Sequence, residues 1–114
     1  MSKKSPPSKR IQNKKALWNY EIIEEYVAGM VLTGGEVKSL RAGRGSLQGS
    51  FVSLRSGEAW VRNFHIPPWE FAQHKDEPLR ERKLLLKKRE LRKLEKKLDE
   101  QGFTLVPLAV FFQK

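Results

Sequence analysis

From Arg80 onward, through the most basic stretch of the chain, Leu84, Leu91, Leu94 and Leu98 recur at intervals of seven, three and four residues. That spacing predicts a long helix with one apolar stripe, its remaining surface filled by Lys and Arg. Pro78 supplies a start and Gly102 a stop. Pairs such as Glu90 with Lys93 lace the solvated side. One feature resists this assignment: Leu84, Leu85 and Leu86 are consecutive. On a helix Leu85 and Leu86 point about 100° and 200° away from Leu84, so no single core buries all three. The outlying leucines need an apolar or flat partner.

At 114 residues the chain makes one small domain. A formal charge of +10, with three Trp, two Tyr and six Phe, points to a polyanionic partner. Nucleic acid comes first and an anionic membrane surface second. The basic segment carries only a narrow leucine stripe, without Trp or Phe, which makes a weak interfacial anchor. Val106 to Phe112, the longest apolar run, is too short to span a bilayer. The first ten residues have no signal-peptide pattern, and the absence of cysteine removes disulfides, thiolate metal sites and cysteine nucleophiles, which fits a cytoplasmic protein. An enzyme needs a nucleophile beside a base, whereas His65 and His74 sit among Pro, Trp and Gln. Two histidines nine apart beside Asp76 read as loop residues, so neither metal nor cofactor is expected.

Met1 to Gln12, rich in Ser, Pro and Lys, reads as a disordered basic arm, with the folded domain running from Asn13 to Lys114. Tyr20, Ile22, Ile23, Tyr26 and Val27 predict a strand, interrupted by Ala28-Gly29 before Met30-Val31-Leu32. Glu36 to Ala42 predicts a short helix closed by Gly43. Phe51–Arg55 and Glu58–Phe64 flank Ser56-Gly57 as a hairpin. Pro67-Pro68 breaks that run before a loop over Trp69 to Glu77, and Phe103 to Phe112 predicts a last strand in which Pro107 marks an edge or bulge. The sum is a mainly β, α+β chain: an OB-like antiparallel barrel with a short helix after the first strands and one long basic helix before the last.

Several blocks then stand in a familiar order: Asn13-Lys14-Lys15, Ala28-Gly29, Gly35-Glu36-Val37-Lys38-Ser39-Leu40-Arg41-Ala42-Gly43, Gly57-Glu58-Ala59, His65-Ile66-Pro67-Pro68, Arg80-Glu81-Arg82-Lys83-Leu84-Leu85-Leu86 and Gly102-Phe103-Thr104-Leu105-Val106-Pro107-Leu108. Together they resemble the SsrA-binding protein (small protein B) family from Asn13 to the end. The resemblance implies an OB-like RNA-binding protein of trans-translation, not an enzyme. Such a protein binds the elbow of the tRNA-like domain of transfer-messenger RNA and brings it to stalled ribosomes, meeting elongation factor Tu through the RNA complex. Recognition of that kind uses shape, stacking and phosphate contacts. A monomer without membrane attachment is expected.

Carried over residue by residue, the resemblance makes Asn13 a polar RNA contact and Lys14 and Lys15 its phosphate neighbours, against an Asx turn and a solvated arm as local alternatives. Glu36 belongs to the short helix, as an RNA contact or as helix-end electrostatics. Lys38 and Arg41 share a face of that helix and either meet a phosphate ridge or remain in water. Leu85 matches an RNA-contacting position, the alternative being packing under the Trp69–Glu77 loop, and Arg82 and Lys83 add phosphate contacts or helix-surface charge. Val27 stands where the family has a carboxylate before Ala-Gly. The chain also stops before the family's further strand, Gly-Lys-Lys motif and basic tail, so a fragment able to bind the tRNA-like domain weakly but not to support tagging is expected. The competing reading is a general basic RNA- or ribosome-associated interaction protein without specificity for transfer-messenger RNA.

Overall fold

Alternation in the middle of the chain builds a sheet around the three leucines. The computed structural model describes residues 10–113. In chain order the elements are β1 (Ile11–Gln12), α1 (Lys14–Asn19), β2 (Gly29–Met30), α2 (Gly34–Arg41), β3 (Phe51–Arg55), β4 (Glu58–Arg62), β5 (Arg82–Leu85), α3 (Lys88–Gln101) and β6 (Ala109–Val110). They form a mixed α+β structure: a four-stranded antiparallel sheet in the order β2-β5-β4-β3, and a two-stranded pair of β1 with β6. Neither sheet closes on itself among the described residues.

The β3–β4 hairpin is the one expected. Ser56 and Gly57 take φ of 55° and 75°, the positive values that a tight two-residue connection demands. The short helix is also as expected, ending before Gly43 at φ 79°. No helix or strand occupies Trp69 to Glu77.

The long helix is corrected. Arg82–Leu85 is a strand, with Leu84 opposite Ala59 on one side and Met30 on the other, and the helix begins only at Lys88. Side chains alternate along a strand, so Leu84 turns to the core while Leu85, 54% exposed, turns out. The stripe that survives on α3 is Leu91, Leu94 and Leu98, the first two buried, and Gly102 caps the helix in the left-handed conformation. The excess of leucine thus reflects period two passing into period 3.6.

Two further expectations are shortened. Tyr20 to Val27 carries no ladder: no described strand runs beside it, and Ile23 and Val27 are exposed. Of Phe103 to Phe112 only Ala109–Val110 pairs, with β1. Pro107 has no N–H to give, although its carbonyl accepts from Asn13 Nδ2 at 2.9 Å. Between these two runs and α3 lies a cavity of about 790 Å³ whose wall includes Ile22, Val27, Leu94, Leu98, Leu105 and Val106. Residues 1–9 of the expected arm lie outside the described residues, whereas Ile11 and Gln12 form β1 instead of arm.

The core gathers Ile11, Leu40, Leu47, Val61, Phe64 and Ile66, with Met30, Leu32, Val52 and Leu84 packed on it. Gly45 lies where β1 and α2 converge: a Cβ there would stand 3.0 Å from Ile11 Cδ1 and 3.1 Å from Leu40 Cδ2. Leu40 is 1% exposed at the centre of this cluster. Leu40→Ala should therefore cost about 2–5 kcal/mol, read as a lower urea midpoint with an unchanged slope.

Candidate nucleic-acid interface

Thr33-Gly34-Gly35-Glu36 is a capping box. Thr33 Oγ1 accepts from the Glu36 N–H at 3.2 Å, and Glu36 Oε1 accepts from the Thr33 N–H at 2.9 Å. The same carboxylate also receives two arginines from β5 and the residues before it. Arg80 donates through Nη2 to Oε1 at 2.6 Å and through Nε to Oε2 at 3.2 Å; Arg82 donates to Oε2 through Nη2 at 2.7 Å and Nε at 2.9 Å. Arg82 is wholly buried and donates further to the carbonyls of Pro78, at 3.1 Å, and Phe64. Burial pushes the Glu36 carboxyl up, but the hydrogen bonds from Arg80, the Thr33 N–H and Arg82 together hold it below the usual carboxylate range.

Three expected RNA contacts therefore take interior positions. Glu36 and Arg82 bind each other across 46 residues of sequence, tying α2 to β5. Asn13, 5% exposed, caps α1 through Oδ1 to the Ala16 N–H, while Nδ2 donates to the carbonyls of Leu47 and Pro107. Their polar atoms satisfy buried backbone and one another, the role that buried polar groups generally have.

The other six sit on the surface in two groups. Lys14 and Lys15 on α1, with Lys38 and Arg41 on α2, are exposed and have no carboxylate partner among the described residues. β1, which leads into α1, meets the end of α2 through Ile11, Leu40 and Gly45, and these cations lie on the two helices beyond that contact. Arg44, outside the blocks singled out from the sequence, is exposed next to Gly45. Aromatic rings steady two arginines there: the Arg41 guanidinium lies 4.5 Å from the Phe112 ring centroid, and that of Arg10 4.7 Å from Phe111.

The second group is on the outward face of β5. Lys83 forms an ion pair with Glu58 at 3.1 Å, and Leu85 stands beside Gly29, where an added Cβ would come within 3.3 Å of Leu85 Cδ1. Gly29 thus leaves one flank of Leu85 clear.

A sequence model described as SmpB protein matches residues 10–114. The chain belongs to the SmpB protein family. Among its relatives, a protein named SsrA-binding protein from Chlorobium luteolum is 51% identical over 106 residues, covering 91% of this chain and 67% of its own length. Another of that name from Streptococcus mutans is 52% identical over 103 residues, covering 90% and 66%. This SmpB-family chain spans about two thirds of the length of these curated relatives. A solved structure described as "tmRNA-SmpB: a journey to the center of the bacterial ribosome" superposes with a TM-score of 0.75 at 45% identity, over 92% of this chain and 74% of the other.

Sequence reasoning missed Arg80 as the second partner of Glu36, though the Thr33-to-Glu36 capping spacing was visible. Removing Glu36 strands a fully buried guanidinium, so Glu36→Ala should destabilise the fold by about 3–5 kcal/mol in urea unfolding near neutral pH. The Glu36 contribution is complete above its ordinary value of 4.5 and is lost as pH falls through its lower folded-state value. The stability gap between wild type and Glu36→Ala should accordingly narrow on acidification below 4.5 and remain level above it.

Proposed function

We propose that this chain binds the tRNA-like domain of transfer-messenger RNA, SsrA, and brings it to stalled ribosomes in trans-translation. The carrying observation is the set of exposed cations on α1 and α2, Lys14, Lys15, Lys38 and Arg41, without carboxylate partners among the described residues, in a chain about half identical to proteins named SsrA-binding protein. Unpaired cations on rigid elements neutralise phosphates and release counterions. Leu85 and Lys83 supply a second contact region, where apolar burial of Leu85 is worth about 1.5–3 kcal/mol if complete.

The same proposal includes a monomer acting in the cytoplasm, reached by elongation factor Tu through the bound RNA. It also includes completion of an OB-like barrel around the two sheets. Support for that closure is the bond from the Val52 N–H to the Leu105 carbonyl at 3.1 Å, which links the β3 edge to the run leading into β6. The activity is binding, with no bond made or broken.

The test is a salt titration of the chain against labelled tRNA-like domain and an unrelated hairpin of equal length. Preference for the tRNA-like domain should persist as salt rises, whereas equal loss of both would favour a general basic RNA-binding protein. Lys14→Ala or Arg41→Ala should lower the salt slope by about one. Leu85→Ala should weaken binding by about tenfold with the slope unchanged.

A further inference from the structure

The outward face of the larger sheet continues beyond Lys83 and Leu85. Trp60 is the Cα partner of Lys83 on one side and of Ser53 on the other, and Arg62 is the partner of Phe51. Alternation places Phe51, Arg55, Trp60 and Arg62 on the same face as Lys83 and Leu85, while Val52, Ala59, Val61 and Leu84 face inward. The Arg55 guanidinium lies over the Trp60 ring, 4.9 Å from its centroid, and Arg62 lies 5.8 Å from the Phe51 ring. Glu81 holds both arginines, Arg55 at 3.1 Å and Arg62 at 2.9 Å. With Glu58 on Lys83, the cations of this face are largely neutralised.

The Trp60 indole N–H has no hydrogen-bond partner among the described residues, although it is shielded from solvent. A shielded donor without an acceptor is unfavourable, and an oxygen brought by a partner removes the defect. Aromatic rings on an open sheet, overlain by guanidiniums and nearly neutral in charge, suit flat π-systems better than bare phosphates.

We propose that this face is a stacking platform for unpaired RNA bases: the Arg55 guanidinium, 4.9 Å above the Trp60 ring, lifts to admit one base onto that ring, and the indole N–H, uncovered by the movement, donates to an oxygen of that nucleotide. Arg55, half exposed and paired with Glu81, is the part that opens and then covers the base. Leu85 and Phe51 flank the base on either side along the sheet. The inference rests on the RNA-binding reading above and adds to it a salt-insensitive contribution that the cations of α1 and α2 do not supply.

The experiment uses the full chain and the tRNA-like domain of transfer-messenger RNA. In a Trp18→Phe, Trp69→Phe background Trp60 is the sole indole, and its emission should be quenched on saturation with the RNA. Trp60→Ala should weaken binding about tenfold to a hundredfold, Trp60→Phe should restore most of the affinity, and the salt slope should be the same in all three. Unquenched Trp60 emission at saturation, or unaltered affinity in Trp60→Ala, overturns the platform. A loss of affinity accompanied by a lower slope overturns it too. Should Trp60→Ala fail to fold by circular dichroism, quenching in the single-tryptophan chain decides alone. Failure of the unaltered chain to bind removes both readings, whereas binding with normal slopes and a silent Trp60 removes only the platform.

Discussion

One carboxylate organises this molecule. Glu36 closes the first turn of α2, fixes Arg80 before β5, and neutralises Arg82 inside the fold. Two charges of opposite sign do not enter an interior unless every donor is answered, and here the Arg82 guanidinium meets the carboxylate and two backbone carbonyls. The result is an angular lock. It sets α2 against the sheet, and with it the direction in which Lys38 and Arg41 project and the strand that carries Leu85.

The two proposed contact regions differ in physical kind. On α1 and α2 the side chains are long, cationic and without carboxylate partners among the described residues, and their attraction to phosphate fades with added salt. On the sheet, ion pairs cancel most of the charge and leave aromatic and aliphatic surface, which salt hardly affects. A folded RNA elbow offers both a phosphate ridge and unstacked bases, so a surface divided in this manner matches its chemistry.

How much of this was legible in the sequence depended on the range of the interactions. The Ser56-Gly57 turn and the capped helix ending at Gly43 are local, and local chemistry exposed them. Leu85 was singled out as a misfit to a helical stripe; it is outward because strands alternate, so the residue was found through a wrong period. The helical period of Leu91, Leu94 and Leu98 extends by chance to Leu84, which hid a four-residue strand. Arg82 looked like surface because a charged residue usually is, and only the fold brings Glu36 close enough to bury it. Asn13 has a local cap to Ala16, an alternative open from the sequence, while its bond to the Pro107 carbonyl joins places far apart in sequence and only the fold reveals it.

The pairing of acids with bases is also uneven across the molecule. Glu24 takes Lys93 and Lys97, Glu58 takes Lys83, and Glu81 takes Arg55 and Arg62, while Lys14, Lys15, Lys38 and Arg41 on α1 and α2 and Lys88, Arg89, Arg92 and Lys96 on α3 have no carboxylate partner among the described residues. Losing Glu24, Glu58 or Glu81 therefore frees one or two cations in addition to removing a negative charge, whereas the exposed cations of α1 and α2 have no carboxylate to lose, so their charge depends on their own number alone.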